Sequence, residues 1–310
     1  MSVALSEYGL IQLPGARTPE NREPLGSKKK LWFRHPNDAE PRLLFKFNRL
    51  STGEDWSEKI AAELAQMLGL PHAQVELATF EGERGAAIVD FTEDERVALV
   101  HGNEILEFVD PAYPRQSHRA PEHTVDAVLG ALERLQVGLP AAPVPLPQAV
   151  TDAFGVFVGY LLLDAWIGNT DRHHENWGVL RMHDSASQAL VLAPSFDHAS
   201  SLGREVNDTA RVKTGDARQG TPAERYAKRT RSALYPSRGS ARPLLTLEAF
   251  NEAAAHRSAA AASWLDRLRA LPPSASRDAV EAVPDSHMSS AAKAFACALL
   301  DCNAKLLGVR

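Results

Sequence analysis

Asp171 and Asn176 stand five positions apart in the polar run TDRHHEN, and Asp197 follows in APSFDHASS. A loop carboxylate can take the proton from an attacking hydroxyl. An amide oxygen and a second carboxylate are hard oxygen donors of the kind magnesium prefers. Asp-x4-Asn, then an Asp beside a phenylalanine after an apolar strand, is the order in which some phosphoryl-transfer sites supply a base and two metal ligands. This spacing points to Asp171 as base and to Asn176 and Asp197 as magnesium ligands. Each piece also has a plain structural reading: Asp171 as a loop cap, Asn176 as a turn residue, Asp197 as the cap of the next segment.

The elements around these residues are strongly marked. Ala153 to Ile167 is apolar on almost every side, which predicts a helix buried all round. Gly168–Asn169 ends it, since both residues tolerate the left-handed conformation. Trp177, Val179 and Leu180 restart as a strand, and Ala189 to Leu192 is a second strand leading to Asp197. A polar loop clamped between such elements needs partners inside the protein.

Further upstream, Leu43–Phe47 reads as a strand in which Lys46 sits between Phe45 and Phe47. A lysine there is unusual unless its amine meets an acid or a phosphate, or the strand lies at an edge. The helix expected over Asp55–Leu68 starts with Asp55 as cap and Glu58 as its capping-box partner, and Gly69 with Pro71 stops it. Glu58 and Glu63 both lie on this helix, about 140° apart at 100° per residue, so only one can face the lysine. Gly26-Ser27-Lys28 suits either a loop offering backbone N–H groups and charge to phosphates or a solvated turn. Val75–Phe80 and Gly85–Phe91 read as paired strands around the turn Glu81–Arg84.

IGNTDRHHENWGVL followed by PSFDHASSLG resembles the HipA family of serine/threonine kinases, the toxin halves of bacterial toxin–antitoxin pairs. The resemblance runs from Pro24 to Leu202 and more loosely to the C terminus. It implies an α+β, two-lobed protein-kinase-like fold, with a sheet-containing N-lobe over 22–95 and a mainly helical C-lobe over 96–310. Residues 1–21 are expected to be a flexible arm, and the chain a short form without the family's N-terminal subdomain. The implied cofactors are ATP and Mg2+. Gly26, Ser27, Lys28 and Lys46 would meet the phosphates, Glu58 would pair with Lys46, and the main chain of Val89, Asp90 and Phe91 would meet the base. His173 has two readings, a hydrogen bond within the catalytic loop or a packing histidine. Ser27 matches a serine that family members autophosphorylate. The implied partners are a protein substrate, such as a translation component, and a small DNA-binding antitoxin. A small-molecule or lipid kinase, or a non-catalytic nucleotide-binding regulator, would share most of these residues.

Composition narrows the field further. The chain has 310 residues and a formal net charge of −5, which argues against a nucleic-acid binder working by bulk electrostatics. Cys297 and Cys302 suggest neither a disulfide framework nor a metal site. No secretory leader and no membrane-length apolar run is visible, so a soluble cytoplasmic protein is expected. Residues 110–121 read as a loop, 122–136 as a helix and 139–147 as a stiff proline-rich connector. The basic stretch from Arg204 to Arg242 lies where the resemblance implies an activation segment, with Arg225, Lys228, Arg229 and Arg231 receiving an acidic or nucleic-acid-bound substrate; its composition equally suits a mobile solvated loop. Helices over 246–270 and 289–308 would pack the C-terminal lobe.

Overall fold

Six short strands build the first sheet. The computed structural model describes residues 7–22, 29–36, 40–92, 94, 96–183, 188–213 and 220–309. Within it, β1 (Leu10–Leu13), β2 (Thr18–Arg22), β3 (Lys30–Arg34), β4 (Leu43–Phe47), β5 (Val75–Phe80) and β6 (Glu83–Val89) form a six-stranded sheet in the order β1-β5-β6-β4-β3-β2. Only the β1–β5 pairing is parallel. One face carries Phe33, Phe45, Phe47 and Phe80 in a cluster of edge-on rings. Because neighbouring side chains in a strand point to opposite faces, Lys46 leaves that cluster for the face covered by α1 (Glu54–Leu68).

The first residues correct the expected arm. Leu10–Leu13 is paired along β5 and Thr18–Arg22 along β3, so this stretch closes both edges of the sheet. Strands this short, one of them containing Pro19, show little periodicity of their own, and the ladder with a neighbour holds them. Tyr8 adds a tether, its N–H donating to the Ala282 carbonyl at 2.8 Å.

The start of α1 also differs from expectation. Gly53 is its N-cap and Asp55 lies inside the first turn, where its N–H donates to Asn48 Oδ1 at 2.9 Å. Gly53 is required by space, since a Cβ there would stand 1.9 Å from the Trp56 ring. Asp55 is buried and accepts from Arg84 and from His287 at 2.8 Å, tying α1 to β6 and to the C-terminal helices.

The remainder is mainly helical and organised on α4 (Ala153–Ile167), in which every residue is buried. Asp152 caps it by accepting from Gly155 N at 2.7 Å, and Gly168 closes it at φ 68°. Before it come β7 (Val97–His101), α2 (Gly102–Val109) and α3 (Val125–Arg134). After it come β8 (Gly178–His183) and β9 (Gln188–Leu192), with β7-β8-β9 forming a small antiparallel sheet.

The basic stretch is partly folded. It contains α5 (Asp208–Val212) and α6 (Pro222–Ala227), and both pack on α10 (Ser290–Leu306). The helix expected over 246–270 is two helices, α7 (Thr246–His256) and α8 (Ser258–Ala270). Arg257 at the break donates to Asp152 and Glu133, so the interruption is locked to the N-terminus of α4. A further helix, α9 (Ala275–Glu281), follows. Among the described residues no helix is long and apolar enough to cross a membrane.

Candidate active site

The alternation that sends Lys46 toward α1 places its ammonium between two carboxylates. Lys46 Nζ lies 3.1 Å from Glu58 Oε1 and 3.1 Å from Asp197 Oδ1. The lysine is 8% exposed and Glu58 2%. Burial by itself would discharge the amine, but Asp197 and then Glu58 outweigh it and raise its pKa, so the cation is retained. The helical partner is therefore Glu58. Glu63 points elsewhere and meets Lys59 at 2.7 Å, which also reaches Glu76. The N-cap Gly53 has no side-chain cap bond, and Glu58 is engaged in the ion pair.

Asp197 reaches the lysine from a backbone of φ 58°, in the left-handed region where aspartate is tolerated better than most residues. Its loop is stitched to the segment after α1: Ser195 N donates to Pro71 O, and Ala73 N donates to Ser195 O, both at 2.9 Å. The metal-ligand candidate is thereby fixed relative to the sheet.

A buried arginine that spacing did not single out holds the Asp171–Asn176 loop. Arg172 has 0% exposure and grips Asp164 of α4 through two bonds, Nε to Oδ2 at 2.7 Å and NH2 to Oδ1 at 2.8 Å. It also donates to the Asn176 carbonyl at 2.7 Å and to Ser195 Oγ at 3.0 Å. One guanidinium thus joins the central helix, the Asp171–Asn176 loop and the Asp197 loop. The cost of burying it is offset by Asp164, and its pKa rises. Asn169 continues the chain of contacts, donating to Asp164 at 2.8 Å and accepting from Asp171 N at 3.0 Å.

Within that frame Asp171 is half-buried, and Ser200 Oγ lies 3.4 Å from its Oδ2. Asn176 donates through Nδ2 to the Asp171 carbonyl at 2.8 Å. An amide oxygen and an aspartate from a separate loop are a donor set that fits magnesium. His173 Nε2 is 3.8 Å from Asp171 Oδ1, and its Nδ1 accepts from Glu175 N at 3.2 Å. Burial lowers the His173 pKa against the opposing pull of Asp171. The histidine therefore packs in the loop and also borders Asp171.

The strand end expected to meet a nucleobase is partly committed. Val89 N donates to Gln74 O at 3.0 Å and Asp90 N to Arg42 O at 2.9 Å. The Asp90 carboxylate is held by Arg42 and caps Thr92. The Phe91 ring lies tilted against that of Phe196, the residue before Asp197, with centroids 5.8 Å apart, so this segment is joined to the Asp197 loop by rings. Gly26, Ser27 and Lys28 lie outside the described residues.

Three features escaped sequence reasoning. The Arg172–Asp164 pair had a signal, a lone carboxylate in an otherwise apolar helix. Ser195 and His198, 2.7 Å apart behind the loop, had none. Nor did Arg204, which donates to Glu54 of α1 at 2.9 Å and to Ser200 Oγ at 3.2 Å.

A lysine–glutamate pair under a curled sheet, facing an Asp-x4-Asn loop at the end of a buried helix, defines a kinase-like fold. Residues 24–274 match the HipA-like C-terminal domain, and the chain belongs to that family. It is 26% identical over 155 residues to the serine/threonine-protein kinase CtkA of Helicobacter pylori (strain J99 / ATCC 700824). That match covers 49% of this chain and 42% of the relative, less than half of its length. The crystal structure of the Helicobacter pylori proinflammatory kinase CtkA has the same fold, with a TM-score of 0.71 at 19% identity over 97% of this chain and 96% of that one. The Shewanella oneidensis MR-1 HipA, solved with HipB and operator DNA, aligns at 12% identity with a TM-score of 0.47, over 98% of this chain and 66% of that one.

Proposed function

We propose that this chain transfers the γ-phosphoryl group of ATP to a serine or threonine hydroxyl of a protein. The observation that carries the reading is the Lys46 ammonium, kept charged between Glu58 and Asp197. Magnesium, held by Asn176 and Asp197, would supply positive charge against the phosphate oxygens. Lys46 binds phosphate oxygens while Glu58 keeps its stem aimed. Asp171 orients the acceptor hydroxyl and takes its proton as the new P–O bond forms and ADP leaves. The Arg172 network fixes this base, so little reorganisation is needed at the moment of reaction. A cleft of about 430 Å3 opens beside Thr170, next to the base, and Arg225, Tyr226 and Arg229 line it. Its guanidinium groups favour an acceptor segment with acidic neighbours.

Membership of the HipA-like family supports a toxin role, with growth arrest on expression and relief by a small DNA-binding antitoxin. Autophosphorylation at Ser27 belongs to the same reading. The experiment is a phosphoproteomic comparison of cells expressing wild type or Asp171→Ala at matched levels. The reading expects new phosphoserine or phosphothreonine sites, and slowed growth, with the wild type alone. Identical phosphoproteomes, with label from ATP appearing only in small molecules or lipids, would move the acceptor out of the protein class.

A further inference from the structure

A second cluster of ligating side chains lies beside the base and outside the magnesium pair. His118, Asp171 and His173 each present one ligand atom, and the three atoms lie within 4.8 Å of one another. Ligand atoms around a tetrahedral zinc with bonds of about 2.0–2.1 Å stand about 3.3 Å apart, so small side-chain movements would close the set. We propose that His118, Asp171 and His173 form a binding site for a transition-metal dication, with zinc as the best match, and that the ion silences the kinase by capturing its base.

The chemistry of the donors sets this site apart. Two imidazoles and one carboxylate with a fourth position open suit zinc, whereas magnesium takes oxygen. The scaffold is uneven in a useful way. His173 is buried and held by the catalytic loop, while His118 is exposed on a loop and free of that frame. Their rings already meet edge-on at 4.6 Å between centroids. The His118 loop is fastened close by, where Arg115 bonds Glu104 and Glu107 of α2. An ion therefore enters from solvent at His118 and comes to rest on His173.

Metal on His173 Nε2 moves the ring proton to Nδ1, which then gives up the Glu175 N–H it accepts in the metal-free protein and faces Glu175 Oε2, 3.9 Å away. A carboxylate behind a ligating histidine orients the ring and strengthens it as a donor. The consequence for catalysis follows from Asp171, whose lone pair cannot hold a metal and receive a proton together. Asn176 and Asp197 keep their places, so nucleotide binding survives and transfer stops.

The silencing rests on Asp171 being the base; the binding does not, and the test separates them. Metal-free protein is titrated with zinc against a chromophoric chelator, and the cobalt form is read by its visible spectrum. Wild type should bind one ion per chain with the intense bands of tetrahedral cobalt. His118→Ala, a surface change, should weaken zinc at least tenfold, as should His173→Ala. The Cys297→Ser, Cys302→Ser double variant should bind like wild type. Equal affinity in wild type and His118→Ala, or loss of the site with the cysteines, overturns the proposal. In the second arm, zinc added in magnesium excess should cut phosphoryl transfer by wild type at least tenfold and spare His118→Ala relative to its own zinc-free rate. Zinc bound at the histidines without loss of transfer overturns the silencing. Inactivity of all zinc-free proteins contradicts the kinase reading and leaves the metal result standing.

Discussion

Lys46 and Arg172 are the two cations on which the site depends, and they differ in how visible they were. A lysine alternating with phenylalanines in a strand announces that it needs an acid, and Glu58 and Glu63 were the candidates; geometry selects Glu58. Arg172 sits among six charged or polar residues of a loop, and nothing local says that it turns back into α4 to meet Asp164. Burial makes the pair costly to break from one side. Arg172→Met should destabilise the protein by about 3–5 kcal/mol, with Asp164→Asn comparable and the double variant less than additive in a urea-melt cycle. Additive losses would show that the two do not act as a pair. Buried histidines give a pH signature. Burial lowers the His123 pKa from 6.5 to about 3, and that of His174 to about 4. The unfolded chain therefore binds protons that the folded chain refuses. Stability is full above about pH 6.5 and is lost as pH falls toward those values. His123 alone should cost about 2 kcal/mol between pH 6.5 and pH 5. Urea midpoints equal at pH 7 and pH 5 would contradict this.

Among the elements, α1 links the two halves of the site. Its Glu58 holds Lys46, and one turn earlier its Glu54 holds Arg204, which reaches Ser200 beside Asp171. Ser57 Oγ adds a bond to the Ser201 carbonyl at 2.9 Å. The position of the helix thereby sets both Lys46 and the surroundings of Asp171. Arg204→Gln should lower turnover about tenfold while changing the ATP KM much less, since the lysine pair is left in place. A rise in KM with unchanged turnover would place Arg204 on the nucleotide instead. Such links cross about 150 residues of sequence and follow no period, so no pattern along the chain could show them. The same holds for β1 and β2, which owe their conformation to β5 and β3. By contrast the apolar length of α4 and its glycine stop were legible in the sequence because their information is local, whereas its Asp152 cap showed only in the structure.

At the scale of the whole molecule, a sheet with one covering helix meets a helical body, and the segments at their junction carry Lys46, Glu58, Asp171, Asn176 and Asp197. The order of these residues along the chain was readable because each stands in a short local motif, at a loop end or in a strand. Their convergence depends on the Ser195–Pro71 and Arg172–Asp164 contacts, which only the fold displays. In the proposed function, binding by Lys46, Asn176 and Asp197 is separable from chemistry by Asp171. The measurement that addresses both is single-turnover release of the γ-phosphoryl group of labelled ATP, with or without an acceptor protein, alongside magnesium-dependent nucleotide affinity. Asp171→Asn should bind nucleotide as wild type does yet transfer at least about 10²-fold more slowly. Asp197→Ala should lose magnesium-dependent binding itself. Equal transfer by wild type and Asp171→Asn would contradict the account.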